Sequence, residues 1–206
     1  MARIFATRAM CLRVLRRDND KTKLAAMTEA DTKPAAQGSP QGSPFWRFSL
    51  RLYRAPGVAD ACIALQEDAG VDVNLLLFLL WQATQRRAFT AADVAALEQR
   101  IGGWRDTAVI PLRNLRRALK SPPALVAPPT AEAFRTRIKA VELEAERLQQ
   151  EAMYELAATS PLGRAVASGA EAARLNVAAY ASMRALTFGS AAVDTILAAL
   201  AKLEGE

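Results

Sequence analysis

From Phe45 onward apolar side chains return every three or four residues, the period of an amphipathic helix rather than of a strand. In FWRFSLRLYRAPG, Phe45, Phe48, Leu52 and Tyr53 recur at that spacing while Arg47, Arg51 and Arg54 fall on the other side, and Pro56 with Gly57 ends the helix. Val58, Cys62 and Leu65 mark the buried stripe of a second helix over 58–69. Gly70 supplies the left-handed residue that stops it, with Val71 covering the last turn. Cys62 on that stripe reads as a packing residue rather than a reactive thiol.

The next segment abandons the two-sided pattern. VDVNLLLFLLWQA, Val71 to Ala83, carries seven consecutive apolar residues from Leu75 to Trp81. Leucine in place of Val and Ile, and the continuation into QATQRR, favour a helix over 73–87 against a buried strand. Such a helix is about 22 Å long, too short to cross a bilayer, and being apolar all round it must be enclosed by others. Asp72 stands at its N-cap, where a carboxylate takes the free amides of the first turn. Asn74 is then either a first-turn helper or an interior polar group that holds a ligand or a neighbouring helix.

Thr90 and Asp93 read as a capping box for a short helix carrying Val94, Leu97 and Ile101, with Gly102 and Gly103 as its stop. In WRDTAVIPLRNLRRALK, Pro111 either starts a new helix or kinks one near Ala108. SPPALVAPPT, with four prolines, is a linker. Beyond it Thr130 caps a long helix to about Ala158, on which Phe134, Ile138, Val141, Ala145, Leu148 and Ala152 form a seam for one partner helix. Ser160 and Pro161 begin an Ala-rich helix, and Gly189 and Ser190 separate it from a last one.

These elements predict an all-α fold: a compact helical bundle of about five short helices, followed by a long helix and Ala-rich C-terminal helices. The expected organisation is a disordered basic leader and Pro/Gly/Ser-rich linker over 1–44, a helical core over 45–120, a Pro-rich linker over 121–130, and the long helix plus tail over 131–206. Composition agrees, since the 206 residues are 51% apolar and poor in aromatic side chains.

Charge and chemistry narrow the functions. The formal net charge of +6 is concentrated in Arg3, Arg8, Arg13, Arg16, Arg17, Lys21 and Lys23, diluted there only by Asp18 and Asp20. The remainder is nearly neutral and gives little support to nucleic-acid binding. Residues 1–26 read either as a product of start-codon choice or as a basic amphipathic membrane-surface anchor, and they lack the continuous apolar core of an export signal. With no histidine and two cysteines, Ser/His and Cys/His catalysis, CxxC redox pairs and Cys/His zinc sites are excluded. Reduced thiols fit a cytoplasmic protein. Neither GVADACIALQEDAG nor IGGW is a phosphate-binding loop. Glu142 and Glu146 share a helix face but lack the histidine companion of a di-iron site, so no metal and no cofactor is expected.

Two constellations remain. Asp72, Asn74 and Trp81 are candidates to line a polar pocket. Arg113, Arg116, Arg117 and Lys120, at i, i+3, i+4 and i+7, form a basic stripe that either grips an anion or partner or pairs with the acidic middle of the long helix, Glu142 to Glu155.

The succession FWRFSLRLYRAPGVADACIALQEDAGVDVNLLLFLLWQA, a tryptophan, then PLRNLRRALK resembles an uncharacterised proteobacterial family of conserved hypothetical proteins, a domain of unknown function. The resemblance covers about Phe45 to Lys120 and, more loosely, ELEAERLQQ. It implies a small bacterial cytosolic protein and transfers no activity. The first functional expectation is a non-enzymatic module that docks a protein partner, or a second copy, through helix 131–158 and the basic stripe. The second is a small-molecule-binding or enzymatic bundle with a pocket near Asp72, Asn74 and Trp81. Nucleic-acid binding through the stripe ranks third.

Overall fold

Ser43 opens the first helix: its Oγ accepts the Trp46 amide at 3.1 Å, and Pro44 occupies the first position, where a missing N–H is harmless. The computed structural model describes residues 42–159 and 162–205. The basic leader and most of the Pro/Gly/Ser-rich segment lie outside the described residues.

Helix α1 spans Pro44–Tyr53 and α2 Val58–Ala69. Gly70, at φ +59°, ends α2, and the Val71 amide closes the turn onto the Leu65 carbonyl. Helix α3, Val73–Thr84, begins at Asp72, whose carboxylate accepts the amides of Asn74 at 2.9 Å and Leu75 at 3.4 Å. Every side chain from Asn74 to Leu80 is buried, so the apolar run is the centre of the core. Phe78 sits edge-on to Phe45, with ring centres 5.4 Å apart.

The two-residue strand β1, Arg87–Ala88, leads into α4, Ala91–Trp104, which starts at the Thr90–Asp93 capping box. Gly102 and Gly103, expected to stop this helix, do not. Gly102 is buried under Arg105, whose guanidinium lies 3.2 Å from where a Cβ would stand, so the glycine there serves close approach rather than a turn. The chain continues as a π-helical turn, Arg105–Val109, and then α5, Ile110–Ala118. The Ile110 amide reaches back five residues to the Arg105 carbonyl. This widened turn accommodates Pro111, which has no N–H to give and would crowd the carbonyl four residues earlier.

Helix α6 runs from Pro128 to Thr159, beginning two residues ahead of Thr130. The non-helical residues after Leu162 correct the expected helix start at Ser160 and Pro161, two residues that lie outside the described ones. Gly163 takes φ +61° with the Ala88 carbonyl 2.5 Å from any added Cβ, and strand β2, Arg164–Ala165, pairs antiparallel with β1. Ser168 is the N-cap of α7, Gly169–Met183, and α8 spans Ser190–Gly205. Helix α7 makes the most extensive packing on α3, and α8 packs on α2. The Ala-rich helices thus complete the enclosure that an all-apolar helix demands. Cys62 is 1% exposed, and burial pushes its thiol up to about 12, so it packs rather than reacts.

Candidate functional site

Asn74 lies in the first turn of α3 and inside the protein at 7% exposure, and its side chain turns to the neighbouring helix rather than to the first-turn amides. Its Nδ2 donates to Gln149 Oε1 at 2.8 Å, and its Oδ1 accepts from Gln150 Nε2 at 2.8 Å. Gln149 Nε2 in turn donates to Asp72 Oδ2 at 3.2 Å. Asp72 is held on its other sides by Arg105 Nη1 at 3.4 Å and, through its own amide, by the Tyr180 hydroxyl at 2.8 Å. A chain of side-chain amides therefore crosses the α3–α6 contact. Buried polar groups this well connected hold one register of the two helices.

Beside this chain lies a cavity of about 220 Å³ among α1, α2, α3, α5 and α6. Trp46, Leu50, Tyr53, Ile63 and Leu77 give it apolar walls, while Ser49, Asn74, Gln150, Glu146 and Arg113 bring polar groups to it. Ser49 Oγ and Gln150 Oε1 are buried and have no hydrogen-bond partner among the described residues. Asp72 lies instead in a groove of about 540 Å³ with Arg105, Arg117 and Arg184. Trp81 faces a third hollow beside Tyr154 and stacks on Phe45, with ring centres 5.3 Å apart. The structure links Asp72 to Asn74 through Gln149 but does not bring Asp72, Asn74 and Trp81 to one cavity.

The basic stripe divides. Arg113 donates to Glu146 at 2.7 Å and to Glu142 at 3.3 Å, and Arg116 holds Glu142 through both Nε and Nη2. Arg117 meets Glu67 at 3.4 Å on the surface, and Lys120 is exposed. The inward half neutralises the acidic face of α6. Burial alone would raise the Glu142 carboxyl, but Arg116 and Arg113 outweigh it and hold Glu142 below the usual carboxylate range. Glu146 goes the other way: burial pushes it up, and its pairing with Arg113 does not compensate. The two glutamates are thus committed to arginines. Among the described residues no group of three or more acidic or thiol side chains could hold a metal ion. Among them, too, no helix is long and apolar enough to cross a membrane.

Ser49, Gln149 and Gln150 are the site residues that sequence reasoning missed. The buried stripe of α6 runs through Glu142, Ala145, Gln149 and Met153, whereas Phe134, Val141 and Leu148 of the expected seam are roughly half exposed. A signal was present: Gln149 falls four residues after Ala145 and four before Met153, on a helical stripe.

The segment that builds the cavity is also the one that comparison recognises. The family model "Protein of unknown function (DUF2390)" matches residues 44–153, more than half of the chain. The chain belongs to this family. No curated protein and no solved structure matches it. Every residue lining the cavity, from Trp46 to Gln150, falls within the DUF2390 segment, while α7 and α8 lie beyond it.

Proposed function

We propose that the protein binds a small molecule in the cavity among α1, α2, α3, α5 and α6. One observation carries this reading: Ser49 and Gln150, 3% and 2% exposed, line that cavity, and each carries a buried polar atom that has no partner among the described residues. A buried polar atom left unpaired costs about 1–3 kcal/mol, and a cavity with apolar walls and few polar groups is the usual form of a small-ligand site. Leu143 stands at the mouth with half its surface in water, so Leu143→Trp plugs the cavity from outside without disturbing the core. In ligand-observed NMR against a set of small soluble fragments, binders of the wild type are expected to lose their signal with Leu143→Trp. Equal binding to both proteins would sink the reading.

A second reading rests on α6. Phe134, Val141 and Leu148 are each about 40–50% exposed along its outer side, an apolar edge suited to a second copy of this chain. Arg113 and Arg116 contribute little to such docking because α6 of the same chain already engages them. Sedimentation over a concentration series is expected to show self-association that Val141→Glu and Leu148→Glu abolish. A monomer at every concentration excludes it.

A further inference from the structure

The amide chain behind the cavity has a direction, and the direction reaches the cavity wall. A carboxylate accepts hydrogen bonds and donates none, whereas a side-chain amide has one donating and one accepting end. Asp72 Oδ2 must therefore receive the Nε2 end of Gln149, as it does at 3.2 Å. That leaves Gln149 Oε1 for Asn74, which has to offer Nδ2, and Asn74 Oδ1 for Gln150, which has to offer Nε2. Reversing any one amide would set two oxygens or two NH₂ groups against each other at about 2.8 Å. Gln150 is consequently left with its oxygen unpaired, on a residue that lines the cavity. The neighbouring charges do not alter this polarity, since Glu146 is matched by Arg113 and Arg113 is shared with Glu142.

Resting on the small-molecule reading of this cavity, we propose that its ligand is a small, neutral, largely apolar molecule that presents an N–H or O–H donor to Gln150. Asp72, which lies outside the cavity, acts as a positioning residue that sets the preference for a donor. The apolar bulk of such a ligand fits between Trp46, Tyr53 and Leu77.

Indole and benzofuran test this, because they share shape and apolarity and differ in an N–H against a ring oxygen. Calorimetric titration of the wild-type protein is expected to show indole binding at least about tenfold more tightly, the effect of one buried hydrogen bond made or left unmade. Asp72→Asn keeps its oxygen on the Asn74 and Leu75 amides and so turns its NH₂ toward Gln149, which reverses the whole chain. There the ratio is expected to fall to about twofold or less, with the thermal midpoint recorded alongside to confirm folding. Gln150→Leu is expected to remove the discrimination as well. Equal affinities at a site that Leu143→Trp blocks would overturn the donor preference and leave the cavity reading standing. Absence of binding by both probes, or binding that Leu143→Trp does not affect, would overturn both. Discrimination that persists in Asp72→Asn would remove Asp72 from its positioning role.

Discussion

Asn176→Ala is expected to lower the free energy of unfolding by about 3–5 kcal/mol in urea denaturation. Asn176 is fully buried on α7 and ties three segments together. Its Oδ1 accepts the Phe89 amide at 2.7 Å, and its Nδ2 donates to the carbonyls of Leu79 at 2.8 Å and Arg87 at 3.0 Å. Removing it strands a buried amide donor just before α4 and leaves the β1 carbonyl of Arg87 short of a partner. Each such loss is worth about 1–3 kcal/mol, and the cavity left by the missing carboxamide adds to it. Asn176→Asp is expected to be at least as damaging, because a buried carboxylate would face two carbonyl oxygens. A loss below about 1 kcal/mol for Asn176→Ala would mean that water replaces all three bonds and that α7 does not pin the α3–β1 junction.

The same residue shows where reading the sequence stops. Local signals were legible: the Gly70 stop, the Asp72 cap, the Thr90–Asp93 capping box and the enclosed helix at Leu75–Trp81 all stand in the structure. Each depends on residues within one or two turns of one another, where backbone chemistry decides. Asn176 serves groups some ninety residues away, and Asn74 finds Gln149 and Gln150 more than seventy residues on. Nothing in a polar letter tells which distant backbone or amide it will meet. Gly102 and Gly103 misled for a related reason, since the helix runs on through both, with Arg105 packed over Gly102 and the widened turn before Pro111 further along. The buried stripe of α6 was hidden because it is polar. Hydrophobic periodicity finds Phe134 and Val141, yet the face that turns inward is chosen by the arginines of α5 and the amide of Asn74.

Glu142→Gln is expected to cost about 2–4 kcal/mol near about pH 7, and the penalty should fade as the solution is acidified. Glu142 is 5% exposed and accepts from both Arg113 and Arg116, so its neutral replacement leaves two partly buried guanidinium groups short of a counter-charge. The figure sits below that for a fully buried pair because each arginine keeps about a fifth of its side-chain surface in water. Arginine pairing holds the Glu142 carboxyl below its unfolded value. Its stabilisation is therefore complete above the unfolded carboxyl pKa of about 4.3 and is lost as pH falls through the lower folded value. Glu146 supplies the opposite sign from the same helix face. Burial raises it, so its contribution is complete below the unfolded value and disappears as pH rises through the folded one. Glu146→Gln should accordingly gain stability relative to the wild type as pH rises from about 4 toward 7, while Glu142→Gln loses it. Urea unfolding of the three proteins across that range separates the two slopes. A Glu142→Gln penalty that is the same at about pH 3 and at about pH 7 would show that the carboxylate's charge plays no part in holding α5 against α6.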